Sequence, residues 1–189
     1  MLIRRAEITD IPDILRLLVQ VCNVHQAIRP DIFRRDGVKY TEADLRELLP
    51  DDSRPVWCAL EGERFLGYCF CQWEAFRDSS VMTDCRELYI DDLCVDEAAR
   101  GQGVATALFH HVRRWAMAEG ADQITLNVWC GNENAMHFYE KMGMKPRKIF
   151  MDVSRNASAS GIPIGILTAF IGAPFFLWLI MGKGDHYEH

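Results

Sequence analysis

Residues Leu88–Leu108 read LYIDDLCVDEAARGQGVATAL. Leu88 to Val95 has the composition of a strand, interrupted by the pair Asp91-Asp92. Asp96-Glu97-Ala98-Ala99 ends it, and Arg100-Gly101-Gln102-Gly103 leads into a helix that opens at Val104-Ala105. A strand, a glycine-bearing turn and a helix N-terminus make an anion site. The first helical N–H groups have no partner within the helix, and the helix dipole adds positive potential there. The glycines allow a tight turn and close approach of a phosphate. The stretch is not a P-loop, which needs four residues between its glycines and Lys-Ser/Thr after the second. Nor is it a dinucleotide fingerprint, because Thr106 stands where the third glycine belongs.

Downstream, Gln123–Val128 reads as a strand. Ala135, Phe138, Tyr139 and Met142 recur at helical spacing, and Gly143 closes that short helix. Lys145–Val153 reads as a last strand. Upstream, Met1–Ala6 is a first strand. Asp10 as N-cap and Pro12 in the first turn open a helix that is expected to reach about Val24. Thr41 and Asp44 resemble a capping box for a second helix to about Leu49. Val56–Leu60 and Arg64–Trp73 form a hairpin. In the second of these strands Leu66, Tyr68, Phe70 and Gln72 alternate with Gly67, Cys69, Cys71 and Trp73. Both faces are largely apolar, so the strand is expected to be covered on both sides. The helix from Gly103 to Glu119 buries Val104, Leu108, Val112 and Trp115-Ala116, which leaves His110 and His111 on its solvent side.

The chain has 189 residues and a net charge of −6. One main domain is expected, and the acidic balance argues against a nucleic-acid partner and suits a cationic one. Seven cysteines without a C-x-x-C pair indicate neither a zinc site nor a disulfide framework, so no metal is expected and the thiols read as reduced and mostly buried. MLIRRAEITD at the N-terminus lacks the apolar region of a signal peptide, and a cytoplasmic location is expected.

Arg100-x-x-Gly103-x-Ala105 after a strand ending Leu-Cys-Val resembles the acetyl-CoA signature of the GNAT N-acetyltransferases. Asn132, Ala135, Phe138, Tyr139, Lys141 and Gly143 match a second pattern of the same superfamily, with Met144 in place of its usual Phe. Two patterns in the family's order are far more specific than either alone, and the resemblance covers about residues 2–154. It implies an α/β (α+β) acyl-CoA N-acyltransferase fold: a mixed, mostly antiparallel sheet of six or seven strands with helices on both faces. The strands at 88–95 and 123–128 would part to admit acetyl-CoA as co-substrate. Backbone of Leu93, Cys94 and Val95 would pair with the pantetheine arm. The N–H groups of Arg100, Gly101, Gln102, Gly103, Val104 and Ala105 would hold the pyrophosphate, and Asn132 and Tyr139 would border the thioester.

Acetyl transfer to an amine needs a neutral attacking nitrogen and a stabilised leaving thiolate. Tyr139 is the candidate acid. Asp91 is the candidate base, since the run LYIDDLCV resembles the corresponding strand of diamine acetyltransferases, and strand alternation sends Asp92 to the opposite face. Glu87 is a weaker candidate. A pair of structural acids at 91–92, or a water chain as base, fits the same residues. Selectivity is expected in His25–Tyr40 and Phe76–Asp84. The implied activity is transfer of acetyl to a primary amine of a small molecule or protein, and a homodimer is compatible with it. The rival is an acyl-CoA-binding regulatory module without turnover.

The domain is expected to end at 155. Residues 156–182 carry no charge, and 161–181 are long enough to span a bilayer. The order Pro163, Gly165, Thr168, Ala169, Gly172, Pro174, Phe176 resembles the C-terminal end of permease subunits of iron-siderophore-type ABC importers. A joined fragment, a membrane anchor and a subunit-covering segment are three readings of this tail. Only the second brings in a membrane.

Overall fold

The computed structural model of the chain describes residues 1–153; the tail, with its permease-like pattern and the domain end expected at 155, lies outside the described residues. The chain divides into a unit of residues 1–146, which holds every helix and strand below, and a unit that starts at Arg147. The elements run β1 (Leu2–Arg5), α1 (Ile11–Ile28), α2 (Glu42–Leu48), β2 (Val56–Glu61), β3 (Arg64–Phe76), β4 (Cys85–Val95), α3 (Val104–Ala118), β5 (Gln123–Leu126) and α4 (Glu133–Lys141). The strands lie in the order β1-β2-β3-β4-β5. The first three pairings are antiparallel and β4–β5 is parallel, so the sheet is mixed and mostly antiparallel, as expected.

Among the described residues the sheet has five strands rather than six or seven. Residues 145–153 form no strand, and Ile149, Phe150, Met151 and Val153 are exposed. Three apolar residues in a row, Ile149–Met151, do not make a strand; a ladder partner is also needed.

Helices cover both faces. Ile11, Ile14, Leu17 and Leu18 of α1 and Leu45 and Leu48 of α2 pack on Cys58, Phe65, Tyr68 and Phe70. On the other face Val104, Leu108, Phe109, Val112 and Ala116 of α3 pack on Trp57, Leu66, Cys69, Cys71, Leu88 and Ile90. β3 therefore sits between two apolar layers, which its two apolar faces anticipated. Leu66 departs from the expected alternation. The β2–β3 register slips there, so Leu66 joins the α3 layer while Tyr68 and Phe70 join the other.

Local chemistry sets the helix ends. Thr41 and Asp44 form the expected capping box, with Asp44 N–H on Thr41 Oγ1 at 3.2 Å and Thr41 N–H on Asp44 Oδ2 at 2.7 Å. Asp10 does stand at the start of α1, but its carboxylate does not cap it. It accepts instead from Arg4 at 2.7 and 2.9 Å and from the Glu7 N–H at 2.8 Å. α1 continues one turn past Val24 to Ile28. His111 is not on the solvent side of α3: its ring lies 4.5 Å from that of Trp57, and its Nε2 is buried without a hydrogen-bond partner among the described residues. All seven cysteines are free; Cys58, Cys69, Cys71 and Cys94 are buried and Cys130 is exposed. No described helix is long and apolar enough to cross a membrane.

Candidate active site

β4 and β5 pair from Glu87–Gln123 to Ile90–Leu126 and then separate, because β5 ends at Leu126 while β4 continues to Val95. Glu87 belongs to the paired part. It is buried and accepts hydrogen bonds from Gln123 Nε2 and Thr125 Oγ1, which tie the two strands together below the opening. Beyond Ile90, β4 keeps β3 on one side through Cys69–Leu93 and Gly67–Val95, and its other edge faces the gap. That edge offers backbone groups to an amide-bearing ligand.

The turn after β4 is built as an anion cradle. Asp96 accepts from Ala98 N–H and holds a short 3-10 turn, Glu97–Ala99. Gly101 and Gly103 then take φ of +75° and +79°, where a residue with a Cβ is strained, and a Cβ at either would meet nothing within 4 Å. The open space over the glycines is room for a ligand. Gly103 is the N-cap of α3, the first helical bond runs from Ala107 N–H to Gly103 C=O, and no acidic residue stands in the first turn. The N–H groups of Val104, Ala105 and Thr106 thus precede the first closed turn, at the positive end of the dipole. Gln102 reaches back to Ala98 C=O at 3.2 Å, and Arg100 approaches Glu97 at 3.4 Å. The residues present fit a phosphate-bearing ligand.

The two aspartates do not alternate across the strand. Phe70 pairs with Asp92 and Cys71 with Ile90, so Asp91 is an extra residue, a β-bulge. Before it, Leu88 and Ile90 face the α3 layer; after it, Cys94 faces the α1–α2 layer, with its thiol 3.7 Å from Leu17 C=O. Both carboxylates consequently lie on the α1–α2 side, which corrects the expectation that Asp92 projects opposite Asp91. Asp91 Oδ2 receives Lys39 Nζ at 2.5 Å and Tyr40 Oη–H at 3.2 Å. Asp92 accepts from Tyr68 Oη–H at 2.9 Å. Burial pushes the Asp92 carboxyl up from the ordinary carboxylate range to about 6, the Tyr68 hydrogen bond opposing and the Asp91 charge assisting the rise.

Tyr139 comes from α4. Asn132 caps that helix, its side-chain oxygen accepting from Ala135 N–H at 3.2 Å, and so fixes where Tyr139 stands. The Tyr139 ring packs on Phe109 and Phe138 with centroids 6.2 and 5.0 Å away. Its hydroxyl has no hydrogen-bond partner among the described residues. Burial holds the phenol protonated far above its usual range, and the Asp92 carboxylate adds to that. Lys39, Tyr40 and Tyr68 were not singled out from sequence, and Asp92 was expected on the opposite face from Asp91. Lys39 stands 52 positions from Asp91, and no local spacing signals such a contact. Among the described residues no group of three or more His, Cys, Asp or Glu gathers that could hold a metal ion.

Residues 18–144 match the acetyltransferase (GNAT) family. The chain belongs to this family. N-alpha-acetyltransferase 30 of Schizosaccharomyces pombe is 34% identical over 85 residues, 45% of this chain and 53% of that protein, so the match spans about half of the relative. Thialysine N-epsilon-acetyltransferase of Sus scrofa is 24% identical over 152 residues, 76% of this chain and 84% of that one. Among solved structures, a variant of the BH1408 protein of Bacillus halodurans is 28% identical with a TM-score of 0.78, over 82% of this chain and 99% of that chain. The GNAT fold expected from the two motifs is thereby established, and the chain is an N-acetyltransferase of GNAT type.

Proposed function

We propose that the chain transfers acetyl from acetyl-CoA to a primary amine, of a small molecule or of a protein, by direct attack in a ternary complex. One observation carries this reading. The strand that parts from β5 at Ile90 leads, within ten residues, to a glycine cradle at a helix N-terminus, and two carboxylates sit where it parts. The named relatives, one acting at an N-alpha and the other at an N-epsilon amine, support the acceptor class.

When bound, acetyl-CoA supplies an activated thioester. In this reading the N–H groups from Arg100 to Ala105 face the pyrophosphate, and the edge of Leu93, Cys94 and Val95 pairs with the pantetheine amides. Asn132 acts at the thioester through the helix that it caps. Asp91, the base expected from sequence, binds and orients the acceptor's ammonium. Asp92, raised to about 6 and therefore mostly ionised but still basic near pH 7, receives the proton. The neutral nitrogen attacks the thioester carbon, the C–S bond breaks as Tyr139 Oη–H donates to the departing thiolate, and the second proton of the nitrogen returns to the tyrosinate, leaving the amide, the CoA thiol and a restored phenol. A phenol kept protonated by burial suits that task. These residues lie within the domain that we expect to end at 155.

The test is release of CoA by the full chain on a panel of primary amines: alkylamines, thialysine, and a peptide with a free N-terminus. Turnover on at least one is expected. Acetyl-CoA binding by calorimetry with no turnover on any would replace this function by the non-catalytic acyl-CoA-binding module.

A further inference from the structure

Lys39 places a cation on the carboxylate to which the proposed function assigns the acceptor's ammonium. Its side chain is 46% exposed and that of Asp91 22%, so the pair sits at an opening rather than in the core. Lys39 belongs to residues 29–41, which carry no helix or strand. The first part of this segment is pinned. Phe33 packs between His25 and Trp129 with centroids 5.0 Å from each, and Asn23 and Asp36 exchange two hydrogen bonds of 2.9 Å. Beyond Gly37 the attachment passes to Lys39 and Tyr40. Tyr40 is anchored independently by stacking on Phe70 at 5.5 Å and by Arg54, whose Nη2 donates to its hydroxyl at 3.1 Å. The Lys39 side chain can therefore leave while its neighbours stay.

The α3 side of β4 carries the phosphate cradle, and the bulge turns both carboxylates to the other side. An acceptor reaching Asp91 must come from the side that Lys39 and Tyr40 close. A primary ammonium and the Lys39 ammonium are the same chemical group with the same three donors. We propose that Lys39 occupies the acceptor-ammonium subsite in the free protein, and that a cationic acceptor binds by displacing it from Asp91. This rests on the proposed acetyl transfer only in calling the displacing cation an acceptor. It makes Lys39 a specificity-determining residue: neutral or anionic acceptors do not compete for the carboxylate, and a cation must beat a tethered rival.

The test uses the full chain and n-butylamine in the CoA-release assay. Removing a partly exposed competing ion pair in Lys39→Gln should raise kcat/KM for butylamine by about two- to fivefold. Lys39→Arg, which can grip a carboxylate with two parallel bonds, should lower it. A second readout needs no turnover. Labelling of Lys39 by acetic anhydride, followed by peptide mass spectrometry, should increase when N,N-dimethylbutylamine is added, since its protonated form keeps an N–H donor for the carboxylate and it gives no stable amide. A kcat/KM for a folded Lys39→Gln variant equal to or below that of the parent overturns the proposal, as does labelling that is unchanged or reduced by the cation. If no amine is turned over, the labelling alone decides, so failure of the proposed function and failure of the Lys39 proposal are told apart. If Lys39→Gln does not fold, Lys39→Arg and the labelling still decide.

Discussion

β4 is two different strands joined at Ile90. From Cys85 to Ile90 it has β3 on one side, β5 on the other along Glu87–Ile90, and the α3 layer over Leu88 and Ile90. From Asp91 to Val95 it has β3 alone, two acids, and an edge without a strand partner among the described residues. The lower half has the features of a stability element: paired backbone and buried apolar side chains. The lower half also holds a buried acid, Glu87, but Gln123 and Thr125 satisfy it; the upper half leaves backbone groups open and sets two part-buried acids side by side, both of which cost free energy unless a ligand answers them. The difference teaches where to look for function: where a chain able to pair fully does not.

The comparison predicts that damage separates by position. Leu88 is fully buried in the lower half, and Leu88→Ala should cost about 2–5 kcal/mol of stability with little change in the acetyl-CoA KM of the molecules that stay folded. Thermal melts with kinetics on the folded fraction check this. Loss of cofactor affinity without destabilisation would mean that the two halves are not separable.

Tyr139→Phe keeps the ring packing on Phe109 and Phe138 and removes the hydroxyl. The turnover number should fall by about ten- to a thousandfold, with the acetyl-CoA KM little altered. Turnover within about twofold of the parent would make Tyr139 a packing residue. Gly103→Asp forces a side chain onto a φ of +79° and puts a negative charge over the cradle. Acetyl-CoA affinity by calorimetry should drop more than about tenfold; unchanged affinity with an intact circular dichroism spectrum would remove the cradle from the site.

The smallest effect is a shift in pH. The acid limb of kcat/KM should lie near 6, where Asp92 ionises, with activity rising as pH rises through it. Tyr68→Phe deletes the bond that favours the carboxylate, so the limb should move upward. The stability linkage has the opposite sense. Asp92 is raised in the fold, so its favourable contribution is complete below the unfolded value of about 3.9 and is lost as pH rises through about 6. An acid limb that Tyr68→Phe leaves in place would show that Asp92 is not the titrating group.

Much of this was legible before any coordinates. The cradle is local, because Gly101 and Gly103 answer a demand of their own backbone, and Asn132 to Gly143 carries cap, stripe and stop within one segment. What was not legible depends on a partner strand or a distant residue. Nothing in LYIDDLCV says that Asp91 is extra, since a bulge is defined by the register against β3. Asp10 looks like a cap until Arg4 claims it. Lys145–Val153 reads as a strand, but its apolar stretch is only Ile149–Met151 and it finds no ladder partner among the described residues.

The bulge has a further consequence for how homologous chains are lined up. In a period-two element one inserted residue is a half-cycle phase slip, so it reverses the inside–outside address of every position after it. A relative that carries the slip one place earlier or later would present a different acid to the opening while its residue letters still aligned without a gap. Matching letters across Asp91 and Asp92 therefore does not transfer a chemical role between two such enzymes; matching the phase on either side, with Ile90 toward α3 and Cys94 toward α1, does.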